Sequence, residues 1–523
     1  MKLFRSVLPL LALSVPVSAV DFASGIRAVL PPAQKAGESA PAKATPAAEP
    51  PAPEVKTGLN AETKEETPAP AAKKELSYTP DEGPAADVSP ATHAEGYAAF
   101  KTALKEQAEK NLYDFCPAME LVLKATNDPF AVQQWMQKAA DEGLPAAQQF
   151  VADRRLENVR VDELQAADVK AAYKLVRKAA DAGYDPAKVN VYMCLKNGVG
   201  VAKDEKAAEK YILEACKSKG FIPRFKWLQL SGRLTTFDDR ERAEVKAEME
   251  RGNDHVVYFL STLAPTAAEK TEWLMKAAKL GNPEALYTLS AMASQKDPKA
   301  SFTLLKEAIQ FHSAEAMFAL GVALTDADPD SPLMKTAGIS HDDVNGRHLV
   351  KLAGMLGSAG AQYWLGHVYH DGVFGVAQDD TVSFRWFERG ARSGNVRCAT
   401  ATGVMHLLGL GTEKDVKKGL AVLNMAANAG DPDAVMALAY AVYTGQGIPA
   451  DARKAAEMLE EAAAMGNPAA YICLAYITAK GGKDLPADPK RAERYVRLAK
   501  LDLKDEAQQL FDRLMAEGWA PKP

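Results

Sequence analysis

A chain of 523 residues exceeds what one compact core usually covers, so several domains or one elongated repeat array are expected. Charged residues make up 25%, hydrophobic residues 47%, and the formal net charge is only −5. No basic footprint for nucleic acid is present, and DNA- and RNA-binding readings are set aside.

The first element is MKLFRSVLPLLALSVPVSA: Lys2 and Arg5, an apolar run from Val7 to Val17, then Val17-Ser18-Ala19. This pattern predicts a secretory signal peptide over residues 1–19, cut after Ala19. No Cys follows the run, which argues against a lipoprotein anchor, and no other stretch offers about 18 uninterrupted apolar residues for a membrane span. The expected product is soluble and exported, periplasmic or secreted by a bacterium. Residues 31–90 then hold 12 Pro and 14 Ala among Lys and Glu, with Tyr78 as their only aromatic. Such a stretch cannot bury enough apolar surface to offset chain ordering, so residues 20–92 are expected to be a disordered tether.

From residue 93 to 503 the chain reads as helix after helix, and a short phrase returns: KAADEGLPAA (138–147), KAADAGYDPA (178–187), KAAKLGNPEA (276–285), MAANAGDPDA (425–434) and EAAAMGNPAA (461–470). Gly357, Gly394, Gly430 and Gly466 are spaced by 37, 36 and 36 residues, a helical-repeat period. Gly281, Gly430 and Gly466 suit a left-handed helix end, Asn282, Asp431 and Asn467 suit the next cap, and Pro283, Pro432 and Pro468 a first helical turn. A second joint lies inside each unit, with paired glycines and a capping Asp204, Asp415, Asp451 or Asp488. About ten helix pairs result. Residues 221–272 lose the glycine signature, residues 325–346 (TDADPDSPLMKTAGISHDDVNG) insert a polar segment, and KDEAQQLFDRLMA within 504–523 predicts a C-terminal capping helix followed by a tail.

AQYWLGHVYHDGVFGVAQDDTVSFRWFERGARSGN, residues 361–395, resembles a Sel1-like repeat, a relative of the tetratricopeptide repeat with a longer internal loop. Ala361, Leu365, Gly366, Tyr369, Gly372, Gly375 and Val376 match that family's first helix and loop. Trp386, Phe387, Ala391 and Gly394 match its second helix. The resemblance is strong for 178–220 and 361–500, weaker for 130–150 and 275–325, and poor for 221–272. It implies an all-α, right-handed solenoid that serves as an adaptor in envelope assembly, signalling or host contact. A binding protein for cell-wall fragments or another small ligand is the alternative.

The chemistry-bearing residues fit that frame. His367, His370 and Asp371 invite a metal reading, since His residues three apart share a helical face. The positions equivalent to His370 are Leu407, Tyr443 and Ala479, however, which suit no shared metal chemistry. No metal site or cofactor is therefore expected. No His-Glu-x-x-His, Gly-x-Ser-x-Gly or phosphate-loop pattern occurs, and no enzymatic activity is expected. Of the five cysteines, Cys194 and Cys216 are the one pair that adjacent helices could bring together as a disulfide; small buried hydrophobes are the other reading.

Aligning the first helices on Ala285, Ala316, Ala361, Cys398, Ala434 and Ala470 leaves two variable columns. Tyr363 falls in a mostly apolar column that reads as core. His367, Tyr440 and Tyr476 fall in a column expected to face the concave groove, because Tyr tolerates a half-buried surface that hydrogen-bonds a partner. These three, with Tyr363 and His370 nearby, are the candidate contacts for a protein or peptide partner. Contact with the cell wall is a further expectation.

Overall fold

The protein is described by a computed structural model covering residues 90–503 except 111, 157–158, 160–162, 218–220, 231–238, 295 and 326–340, together with residues 508 and 511. The expected signal peptide and nearly all of the expected tether lie outside the described residues. So does the C-terminal segment 504–523, apart from Gln508 and Phe511, both helical. Every regular element among the described residues is a helix.

The described residues open with α1 (Pro90–Glu109), three residues before the expected start of the array at 93, then α2 (Cys116–Thr126) and α3 (Ala131–Asp141). Among the described residues ten successive pairs follow in chain order. They are α4 (Pro145–Leu156) with α5 (Ala167–Asp181), α6 (Asp185–Asn197) with α7 (Glu205–Ala215), and α8 (Phe221–Leu230) with α9 (Asp239–Glu250). Next come α10 (Asp254–Leu263) with α11 (Ala267–Lys279), α12 (Pro283–Ala293) with α13 (Pro298–Gln310), and α14 (Ala314–Thr325) with α15 (Asp343–Leu356). The last four are α16 (Ala359–Asp371) with α17 (Asp380–Arg392), α18 (Val396–Leu408) with α19 (Val416–Asn428), α20 (Pro432–Thr444) with α21 (Ala452–Ala464), and α22 (Ala469–Lys480) with α23 (Pro489–Ala499). Each pair packs on the next, which makes the array an α-solenoid. In the α8/α9 stretch, where the glycine signature is missing, both helices pack on α10 and share a small buried cluster with it.

The two joints are built as the glycine and cap pattern predicts. Gly281, Gly430 and Gly466 hold φ of +87°, +88° and +93°, a region that costs other residues steric strain. Inside the units the cap carboxylates of Asp204, Asp379, Asp415, Asp451 and Asp488 accept backbone N–H groups of the second helix's first turn. Helices α18 and α19 cross glycine to glycine, where a Cβ on Gly419 would fall 2.8 Å from the Gly403 carbonyl oxygen. Only a residue without a side chain permits that approach.

Two sequence expectations change. The 325–346 segment is not wholly an insertion: Thr325 ends α14, and Asp342 caps α15 by accepting from Asn345 N at 3.0 Å. Residues 326–340 between them lie outside the described residues. The Cys194–Cys216 disulfide is not formed, and all five cysteines are free thiols. Cys194 sits in the main apolar core, whereas Cys216 caps the end of α7 in a separate small cluster with its sulfur toward the Pro223 carbonyl. Neighbouring helices place these two side chains in different packing layers.

Candidate interaction surface

The first helices of the pairs are tied to one another along one edge through their caps. Asn282, the cap of α12, donates to Asp254 Oδ2 on α10 at 3.0 Å. Ser358, the cap of α16, lies close enough to Glu315 on α14 to pull its carboxyl down against the burial that raises it. Asn395, before α18, donates to the Ala359 carbonyl at 3.3 Å. Thr400 of α18 donates to Asp431, the cap of α20, and Asn467, before α22, donates to Asp433 Oδ1 at 2.6 Å. Asn282 and Ser358 are fully or almost fully buried, and Asp431 nearly so. Each residue therefore satisfies a helix end and bridges to the preceding first helix, so the edge is a polar seam rather than a row of independent caps. Burial, with the Asp431 charge beside it, raises the Asp433 carboxyl to about 6 against the Asn467 hydrogen bond and Arg397.

The sequence-predicted contact residues divide on this frame. His367 and Tyr440 are 5% and 6% exposed, so neither faces an open groove. The His367 ring stands 4.5 Å from that of Tyr363 and 5.2 Å from that of Phe387, edge to face with both. Phe387 reaches this far because residue 366 is glycine; a Cβ there would lie 2.4 Å from its ring. Around Tyr440 every residue of α20 from Ala434 to Val442 is buried, so this stretch is core all round.

His370 is half-buried and points back to the next helix, its Nδ1 2.7 Å from Asp380 Oδ1. It joins the end of α16 to the start of α17. The adjacent Asp371 carboxyl is pushed up by burial and by Asp380, against the pull of His370. The three residues thus face different surroundings, and among the described residues no group of three His, Cys, Asp or Glu could hold a metal ion. Tyr363 and Tyr476 are half-buried, as is Tyr443, which occupies the register of His370 and lies beside Tyr476. Tyr443 stands in a different sequence column from Tyr476, yet neighbouring first helices bring these residues, three apart in register, together.

The pairwise architecture, the 36-residue period and the two joints define one repeat. Residues 133–144, 163–184, 192–219, 359–395, 396–431, 432–467 and 468–500 match the Sel1 repeat model. The chain carries Sel1 repeats. The Sel1 matches are continuous through the C-terminal four pairs and stop over 220–358, the stretch that holds α8 to α15. The array is also similar to a solved protective antigen present in uropathogenic Escherichia coli strains and displaying an SLR fold. That likeness has 21% identity, covers 80% of this chain and 90% of that one, and gives a TM-score of 0.44. A solved Sel1 repeat protein from Oxalobacter formigenes is 22% identical, with 49% of this chain and 95% of that one covered and a TM-score of 0.37. Sel1 repeats generally mediate contacts between proteins. No helix among the described residues is long and apolar enough to cross a membrane.

Proposed function

We propose that this Sel1 array is an exported scaffold that binds a protein or peptide partner through the ends of its first helices. The observation that carries the reading is the pair Tyr443 and Tyr476, half-buried on consecutive first helices held in register by the Asp433–Asn467 seam. The half-buried rings offer apolar area to a partner at little cost in side-chain freedom, while the Tyr443 hydroxyl is itself turned to the Gly481 carbonyl at 3.5 Å. Export rests on the signal-peptide pattern of residues 1–19, and the Pro/Ala-rich segment after it would hold the array away from its attachment point.

The test is affinity capture from envelope extract with residues 20–523, beside a Tyr443→Ala, Tyr476→Ala variant that melts at the parent temperature. A protein held by the parent and lost by the variant supports the surface. Equal capture by both moves the site off these helices. Failure of both to hold a protein, together with a rise in melting temperature on adding muropeptides, would replace the partner with a small cell-wall ligand.

A further inference from the structure

In a simple solenoid each repeat touches its neighbours, and residues many repeats apart do not meet. Here the start of the array touches its own middle. His312, at the joint between α13 and α14, has its Nδ1 2.6 Å from Asp114 Oδ2 just before α2, across 198 residues of chain. Lys351 of α15 donates to Asn127 Oδ1 at the end of α2 at 3.2 Å, across 224 residues. Phe130, entering α3, packs on the buried Trp386 of α17 with ring centroids 4.8 Å apart, and the Arg385 guanidinium lies over its ring, 3.8 Å from the centroid.

The apolar core follows this closure rather than the chain. One cluster takes in residues from Tyr97 to Ala208 and then from Leu286 to Trp386. Between them, Leu228 to Ala285 bury their side chains in separate small clusters. Among the described residues the large cluster thus spans the first pairs and α12–α17 without the buried side chains of α8–α11, and the contact of α2 and Phe130 with α13–α17 joins its two parts.

Local geometry prepares each end of the contact. Asp114 takes the Cys116 N–H on Oδ1 at 3.1 Å, which aims Oδ2 outward. Asn127 and His312 both adopt left-handed backbone, φ +49° and +62°, and so carry their side chains out of the helix ends. Gly354 leaves room for Trp386; a Cβ there would lie 2.9 Å from the indole.

We propose that α2 and the Phe130 turn form a latch on α13–α17, and that the His312–Asp114 contact makes it proton-sensitive: protonated His312 holds it, and neutral His312 slackens it. The charged groups bearing on His312 are Asp114 and Glu120, both from the latch side. Burial opposes the charged ring, but the Asp114 hydrogen bond and the two carboxylates outweigh it and hold His312 above the ordinary imidazole range. The stabilisation is therefore full below the unfolded imidazole value of about 6.5 and is lost as pH rises through the raised folded value.

Hydrogen exchange of the full chain, corrected for intrinsic rates at each pH, reads the latch at both ends. Peptides covering Cys116–Thr126 and Asp343–Leu356 should exchange roughly fivefold or more faster at pH 9 than at pH 6, while Pro432–Lys480 keeps its protection. His312→Asn retains the tolerance for left-handed backbone, and Asp114→Asn retains the oxygen that caps Cys116; both should remove the pH dependence while the protein stays folded by circular dichroism. Phe130→Ala should deprotect both peptides at both pH values. A pH dependence that survives in His312→Asn, or that wild type lacks, overturns the proton control. Unchanged protection of Asp343–Leu356 in Phe130→Ala overturns the latch itself.

Discussion

At the scale of single residues, Asp433 shows how a structural contact becomes a titration. Its carboxyl bridges two first helices through Asn467 and is raised from 3.8 to about 6 by burial and by Asp431. A carboxyl with a raised folded value favours folding when protonated, and that contribution is lost as pH climbs from about 4 through about 6. Asp433→Asn keeps an acceptor for Asn467 and removes the charge. Its stability should match wild type near pH 4 and exceed it by on the order of 2 kcal/mol above pH 7, measured by urea unfolding at each pH. A constant difference across that range would mean that Asp433 ionises freely in the fold. His367 poses a different question, because its place between Tyr363 and Phe387 makes it a packing residue. His367→Ala should cost about 1–3 kcal/mol by leaving a cavity, whereas a groove-facing side chain would cost less than about 0.5. The shift of the urea midpoint at constant slope separates the two.

At the scale of elements, the joints carry the fold. Asp451 caps α21 by accepting from Lys454 N at 2.8 Å, and Asp451→Ala should lower stability by about 1 kcal/mol. Gly366→Ala should cost more, about 1–3 kcal/mol, since its methyl would meet the Phe387 ring in a filled core. Thermal unfolding of the two variants side by side checks the order; a milder Gly366→Ala would show that Phe387 can move aside. These features were legible in the sequence because each acts within one turn: a left-handed glycine, a cap three residues before the N–H it satisfies, a proline opening a helix. The destinations of His367 and Tyr440 were not, because they depend on how much each pair rotates against the next. A small change in that rotation turns a groove residue into a core one. The Cys194–Cys216 pairing failed for the same reason: nearness of helices does not decide which faces meet. The seam was half-legible, since Asn282, Asp431 and Asn467 read as caps while their second bonds to neighbouring repeats left no mark in the local pattern.

At the scale of the whole array, stability is a sum of repeat and interface contributions, and the sum is uneven. The C-terminal pairs α18–α23 share one continuous core from Val404 to Ala499. The stretch from α8 to α11 instead divides its buried residues between two small clusters, and α8 and α9 both lean on α10. This is also where the glycine signature lapses: Leu228 of α8 and Val245 of α9 share only a small cluster with Val256 and Leu260 of α10. Residues 221–263 should therefore be the first part of the array to open, exchanging amide hydrogens at sub-denaturing urea while Pro432–Lys480 stays protected. Leu228→Ala would test this at the fully buried centre of the block. It should speed exchange throughout 221–263 and leave α20–α22 unchanged, because in a solenoid the loss of one contact is felt by neighbours. If protection in α20–α22 fell equally, the array would unfold as a single cooperative body and the uneven core would not set its order of opening.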